Sequence, residues 1–142
     1  MADRREAIAE LIALLPMFMG TLLEEGGIKN QAGLNISESR TLLCVFRHEG
    51  GTMTEYSKRV GLARGSFTTV ADSLEQKGLV GRVSGSDDRR KCSLVLTKGG
   101  RELARDIDYR FKEGIAAGLG RLTEEELDHL RNALETIVAT TE

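Results

Sequence analysis

Apolar residues recur at intervals of three and four along the first 23 positions of the chain. This spacing predicts an amphipathic helix. The stripe comprises Ile8, Leu11, Ile12, Leu15, Phe18, Met19, Leu22 and Leu23. Pro16 is expected to kink the helix, and Gly26-Gly27 to end it before a loop over residues 29–35. The run is too short to span a bilayer and is preceded by Asp3 and Glu6, so a buried helix is a better interpretation than a secretory signal.

Polar N-cap residues predict the starts of three further helices. Ser37 is the expected N-cap of a helix that Gly50-Gly51 closes. Thr97 is expected to cap a long helix, and a capping box from Thr123 to Glu126 opens a final one. The apolar residues of these three helices are Leu42, Leu43, Val45 and Phe46, then Leu103, Ile107, Phe111 and Ile115, then Leu127, Leu130, Leu134, Ile137 and Val138.

Two short helices are predicted in the middle of the chain. Thr52 and Glu55 have the spacing of a capping box, which predicts a short helix that Gly61 ends. Another helix begins near Arg64 and ends before Gly78. Its buried face comprises Phe67, Val70, Ala71 and Leu74. Two short helices joined by a tight glycine-containing turn predict a helix-turn-helix.

After this pair the hydrophobic period changes from helical to extended. Residues 79–84 and 91–96 are predicted strands, because apolar and polar side chains alternate in the second of them. The turn formers of Gly85-Ser86-Asp87-Asp88 lie between the two strands. The predicted fold class is therefore mainly α with a small β-hairpin, a winged helix-turn-helix.

Charge is distributed unevenly along the 142 residues, although the formal net charge is only −2. Residues 58–101 hold ten basic and four acidic residues, a net +6, whereas the remainder carries ten and eighteen, a net −8. A basic segment in an acidic body is typical of a localised phosphate-binding surface. Cys44 and Cys92 form no disulfide or zinc pattern, and we expect a reducing, cytoplasmic location with no metal and no cofactor.

The helix-turn-helix and the hairpin supply the candidate DNA contacts. If Phe67, Ala71 and Leu74 face the core, small polar groups on the opposite side of this helix point outward, as a helix in the major groove requires. Basic side chains beside the hairpin turn suit the narrow minor groove. The candidate contacts are Arg64, Ser66, Thr68, Thr69, Ser73, Lys77, Asp88, Arg89, Arg90 and Lys91.

The stretch from Leu34 to Ala104 resembles the MarR (multiple antibiotic resistance regulator) family of transcription factors. The resemblance rests on Leu74-Glu75-Gln76-Lys77-Gly78-Leu79-Val80, on Asp88-Arg89-Arg90, and on Leu94-Val95-Leu96-Thr97 followed by Gly100. It implies a recognition helix over residues 64–77 and a wing in which Arg90 touches the minor groove. It also implies a repressor that a small, often aromatic or phenolic, effector releases from DNA. Many relatives carry a capping Ser at Ala63, and Arg or Lys at Thr69 and Ser73.

A homodimer is expected on two grounds. The resemblance implies a dimer held together by N- and C-terminal helices. Independently, the first helix and the last two expose aliphatic stripes that a lobe of this size cannot cover. The chain is then one domain over 1–142, with a dimerisation helix over 1–27, a DNA-binding lobe over 34–98 and further dimerisation helices over 99–142. The DNA target of such a dimer is a pseudo-palindrome.

Two other functions compete with this prediction. An enzyme is disfavoured because His48 and His129 are widely separated and lie in no nucleophile motif, and because the glycines lack phosphate-loop spacing. A winged helix that binds an acidic protein partner instead of DNA stays open, since fold alone does not settle function. No membrane association is expected.

Overall fold

The computed structural model describes residues 3–25, 33–85 and 91–141. Its elements in chain order are α1 (Arg4–Glu25), α2 (Ile36–Arg47), α3 (Met53–Val60), α4 (Arg64–Gln76), β1 (Val80–Ser84), β2 (Cys92–Leu96), α5 (Lys98–Leu119) and α6 (Glu124–Thr141). The predicted fold class, mainly α with a small β-hairpin, is confirmed. The predicted end of the first helix at Gly26-Gly27 and most of the loop that follows lie outside the described residues.

Side-chain caps explain where four of the helices begin. The Thr52 and Thr123 hydroxyl groups each accept a hydrogen bond from the backbone N–H of the glutamate three residues on. The side chain of that glutamate accepts a hydrogen bond from the backbone N–H of the threonine, which confirms both predicted capping boxes. Thr97 caps α5, also as predicted. The predicted cap at Ser37 is wrong, because Asn35 caps α2 and accepts a 2.8 Å hydrogen bond from the Glu38 amide.

The core lies in the part of the chain between residues 34 and 107. Tyr56, Phe67 and Leu74 are fully buried there, against Leu94 of the hairpin and Ile107 of α5. Helix α2 is central, because it contacts α3, α4, α5 and β2. The helix-turn-helix, the hairpin and the first half of α5 therefore form one packed unit.

The hairpin is antiparallel and places Val80 opposite Leu96 and Ser84 opposite Cys92. The Gly85 amide donates a 3.0 Å hydrogen bond to the Lys91 carbonyl, which continues the pairing toward the tip. An isolated bridge joins Thr52 to Ser93, so the hairpin is attached to the start of α3.

Helix α1 continues through Pro16 and leaves most of its apolar side chains exposed, with Leu11 at 60% and Met17 at 68% exposure. It contacts α5. Within the described ranges, no helix is long and apolar enough to cross a membrane.

Candidate nucleic-acid interface

Helix α4 has an apolar inner face and a small polar outer face. Phe67, Ala71 and Leu74 have no exposed surface, whereas Ser66 and Thr69 are exposed. The predicted division of this helix is thus confirmed over its first half. Hydroxyl groups on such a face can approach base edges without steric conflict.

The start of α4 borders a cleft of about 260 Å³ between the two short helices and the hairpin. Arg64 and Lys91, two of the predicted contacts, both line it. The Arg64 guanidinium also donates a hydrogen bond to the Thr54 hydroxyl, which holds the side chain across the gap between α3 and α4. Two cations therefore line one concave surface together with a single acid, Glu55, whose carboxylate accepts a hydrogen bond from the Thr52 backbone N–H. A surface on which cations outnumber acids suits a phosphate.

The N-terminus of α4 has no side-chain cap. Ala63 occupies the N-cap position with extended backbone angles, and its methyl group accepts nothing. The first amide groups of a helix have no intrahelical acceptor, so an uncapped start favours an anion. This end of the helix lies beside the cations of the cleft, because Arg64 is its first residue.

The two threonines of α4 bond within their own helix. The Thr68 hydroxyl donates 2.9 Å to the Arg64 carbonyl, and the Thr69 hydroxyl donates 3.2 Å to the Gly65 carbonyl. Each oxygen keeps lone pairs that accept hydrogen bonds, and a fixed rotamer presents them in a constant direction. Thr68 is half-buried, so Thr69 is the more accessible of the two.

The expected outward orientation is wrong for Ser73. Its hydroxyl donates a 3.1 Å hydrogen bond to the Glu38 carboxylate of α2, and the residue is half-buried. The Lys77 ammonium lies 2.6 Å from the same carboxylate oxygen and 3.3 Å from the Gly33 carbonyl. Both predicted contacts therefore engage α2 through their polar atoms.

Ion pairs use part of the predicted basic surplus. Arg82 pairs with Asp72 and Glu75 of α4, and Arg101 pairs with Glu49. Within the described ranges, five exposed cations of the basic segment form no ion pair, namely Lys58, Arg59, Arg64, Lys91 and Lys98. The remaining positive charge is therefore carried by α3, the start of α4 and the base and exit of the hairpin.

Three predicted contacts, Asp88, Arg89 and Arg90, lie outside the described residues. Thr54 and Glu38, which hold Arg64 and Lys77 in place, were not among the predicted site residues. The capping box of α3 signalled a helix start at Thr52 but not the approach of Arg64 from ten residues away. No local signal predicted the contacts of Glu38 with α4, because its partners there are 35 and 39 residues distant.

Comparison with known proteins places the chain beside bacterial regulators. The profile of the MarR family matches residues 34–92. The HTH-type transcriptional regulator MhqR of Bacillus subtilis is 30% identical over 105 residues, which cover 74% of this chain and 72% of that protein. Against three other regulators of the same organism, the chain spans 66%, 61% and 54% of their length.

Two solved structures have closely similar folds. The S. aureus MepR-DNA complex has a TM-score of 0.77 at 21% identity and covers 90% of this chain and 96% of that chain. NadR in complex with 4-hydroxyphenylacetate has a TM-score of 0.75 at 25% identity and covers 89% of each chain. Each of these structural matches covers more of the chain than residues 34–92, the range of the profile match.

Proposed function

Because the chain belongs to the MarR family, we propose that it is a transcriptional regulator that binds double-stranded DNA sequence-specifically and acts as a repressor. The observation that carries the proposal is the exposed polar face of α4, which begins at a cleft where Arg64 and Lys91 converge. MhqR is named a transcriptional regulator, and MepR was solved bound to DNA.

In this proposal α4 enters the major groove with its N-terminal half leading. Ser66 and Thr69 face base edges, because both are exposed on the side opposite the core. Arg64 binds a phosphate or a guanine edge, and Lys91 binds the backbone from the base of the wing. Arg90 remains the expected minor-groove contact, with Asp88 and Arg89 beside it.

The active form is a homodimer. Large apolar side chains of α1, α5 and α6 are exposed in the single chain, including Leu11, Leu14, Met17, Tyr109, Leu134, Ile137 and Val138. An apolar surface of this kind marks an interface. Twofold symmetry then places two recognition helices about 34–36 Å apart, on successive major grooves. We infer the division into a dimerisation helix (1–27), a lobe (34–98) and C-terminal helices (99–142) on the same basis, although the start of α5 also packs in the lobe core.

A small aromatic or phenolic effector is part of the proposal. NadR, of the same fold, was solved with 4-hydroxyphenylacetate. An effector that binds the dimer helices and the lobe together changes the separation of the two recognition helices, which lowers DNA affinity by population shift. Release of a bound duplex by simple phenolic acids tests this, and a duplex that stays bound at saturating concentrations of each acid contradicts it.

The role is regulatory and not catalytic, and its site of action is the cytoplasm.

The second candidate function is a winged helix that binds an acidic protein through the same cations, since exposed Lys58, Arg59 and Lys91 suit either partner. DNA is favoured because the polar face of α4 offers hydroxyl groups suited to base edges beside those cations.

The experiment is fluorescence anisotropy with a duplex from the region upstream of the gene and with a scrambled duplex, over a salt series. Each phosphate contact contributes about −0.9 to the log–log salt slope. Arg64→Ala is expected to weaken binding to the upstream duplex by about 1–3 kcal/mol if the Arg64 side chain contacts a base. If Arg64 contacts a phosphate instead, the salt slope of the variant should be less negative by about 0.9. Arg131→Ala, which removes an exposed cation of α6, is the control. Equal, weak binding of both duplexes would favour the protein partner.

A further inference from the structure

Glu38 is a charged residue buried inside the lobe. It lies in the first turn of α2 and has only 3% of its surface exposed. One carboxylate oxygen accepts a hydrogen bond from the Asn35 backbone N–H at 3.3 Å. The other oxygen accepts the Ser73 hydroxyl at 3.1 Å and the Lys77 ammonium at 2.6 Å. Asn35, Glu38, Ser73 and Lys77 together form the Glu38 cluster.

Both carboxylate oxygens of Glu38 accept hydrogen bonds within the cluster. Burial alone would raise the pKa of Glu38, but the hydrogen bonds from Lys77, Asn35 and Ser73 outweigh it and lower the pKa. The carboxylate is therefore ionised at neutral pH. The Glu38 side chain is buried, whereas the Lys77 side chain is 39% exposed. Such an ion pair contributes little net stability compared with an apolar pair, but removing Lys77 leaves a costly unpaired charge on the buried carboxylate.

The Glu38 cluster holds the C-terminal end of α4 against α2. Ser73 and Lys77 lie at its C-terminal end, and Lys77 also reaches the Gly33 carbonyl ahead of α2. The opposite end of α4 starts at the cleft with Arg64. A helix fixed at its C-terminal end by directional, charge-assisted bonds has a defined axis, and the N-terminal side chains follow that axis. Apolar contacts of Phe67 and Leu74 alone do not define it as closely, because they are non-directional.

We propose that Glu38 is a positioning residue for the recognition helix, and that Ser73 and Lys77 act through it and do not touch DNA. The inference rests on the proposed function, since a recognition helix requires DNA to recognise. It reassigns two of the ten predicted contacts, whose polar atoms are turned to α2. Glu38 thereby affects sequence preference without meeting a base.

The test measures the affinity ratio of upstream to scrambled duplex for Glu38→Gln, Lys77→Met and the double variant. Each single variant is expected to lower the ratio roughly tenfold, the size of one lost base contact. The double variant should lose no more, because both changes break the same cluster. Lys77→Arg should retain most of the preference, since it keeps the charge and the donor. Asp128→Asn makes the same carboxylate-to-amide change at an exposed site and should leave the ratio unchanged.

Other outcomes overturn the proposal in distinguishable ways. If Lys77 binds phosphate, Lys77→Met reduces the salt slope on both duplexes by about 0.9, and Glu38→Gln raises affinity for both. Under the proposal, the slope on scrambled DNA stays unchanged in either variant. A Glu38→Gln protein that is folded by circular dichroism and keeps the wild-type ratio overturns the positioning role alone. A wild-type protein that prefers neither duplex overturns the proposed function itself.

Discussion

Gly100, in the first turn of α5, is a residue for which a single added methyl group has no space. A Cβ there would lie 1.8 Å from the Leu79 carbonyl oxygen and 2.8 Å from its carbon. The carbonyl cannot easily move, because it accepts the Thr97 amide at 3.1 Å. Gly100 therefore allows α5 to start directly against the segment that leads into β1.

Gly100→Ala is expected to destabilise the protein by about 1–3 kcal/mol, the cost of overpacking, although alanine is the better helix former. Gly99→Ala is the matched control, because a Cβ at Gly99 meets no atom closer than 4.0 Å. Urea unfolding of both variants measures the difference. Equal midpoints for the two variants would show that the backbone at Gly100 adjusts freely.

Asp108 links α5 to the end of α2 by charge. Its carboxylate lies 2.7 Å from the Arg47 guanidinium and 2.9 Å from the Lys112 ammonium, and the residue is 8% exposed. Burial alone would raise the pKa of Asp108, but the bonds from Lys112 and Arg47 prevail and lower it below the usual 3.8. A lowered folded-state pKa means that the stabilisation is present above the unfolded-state pKa and disappears as the pH falls through the folded value.

Asp108→Asn is expected to lower the free energy of unfolding at pH 7 by about 1–3 kcal/mol, because hydrogen bonds to a charged group are lost. The difference in unfolding free energy between variant and wild type should narrow below about pH 4, where Asp108 of the unfolded wild type takes up a proton. It should close as the pH falls further and the folded carboxyl is protonated as well. Urea midpoints from pH 7 to pH 3 measure it. A gap that is constant across this range would mean that the charge of Asp108 contributes nothing.

Local sequence signals predicted where the helices start better than they predicted what each side chain contacts. The boxes at Thr52 and Thr123 are complete within four residues, so the sequence predicts them without knowledge of the fold. The start of α2 was misplaced, because Ser37 has the right residue type while Asn35 has both the type and a glutamate three positions on. Similarly, helical periodicity separated Phe67 from Ser66, but no local pattern predicts that Ser73 meets Glu38 on another helix.

The missing cap of α4 gives a prediction for that element. Ala63 already has the extended angles of an N-cap, so Ala63→Ser can accept an amide hydrogen bond without strain. We expect about 1 kcal/mol of added stability. Thr52→Ala removes the corresponding bond from α3 and should cost a similar amount. Thermal unfolding of both proteins measures the pair. An unchanged or lower midpoint for Ala63→Ser would argue that the first amides of α4 are already satisfied.

For the whole molecule, the exposed apolar surface of α1 and α6 is the feature that needs a partner. Leu11, Leu134 and Ile137 line one wholly apolar groove between these helices and are 60%, 42% and 45% exposed. The sequence predicted the three apolar stripes but not that α1 and α6 line one groove, since that depends on how the chain folds back. A second copy of the chain covers this surface in the proposed dimer.

Leu11→Glu is expected to convert the dimer into a monomer, because each copy would bury an unpaired carboxylate in the interface. The dissociation constant of the dimer should rise roughly 100-fold or more. Light scattering measures the mass. Val83→Glu places the same charge at a 50% exposed apolar position of the hairpin and should leave the dimer intact. A Leu11→Glu protein with the wild-type mass would exclude this face from the interface.

Hydroxyl-radical footprinting of the dimer on its own upstream DNA tests the central claim most directly, because it reports position, symmetry and selectivity together. A dimeric regulator with α4 in the major groove predicts two protected blocks related by a pseudo-dyad, with centres about 10–10.5 base pairs or a multiple apart. Scrambled DNA at the same protein concentration should show no such blocks. Absent or uniform protection on both DNAs would contradict the claim that this protein is a sequence-specific DNA-binding regulator.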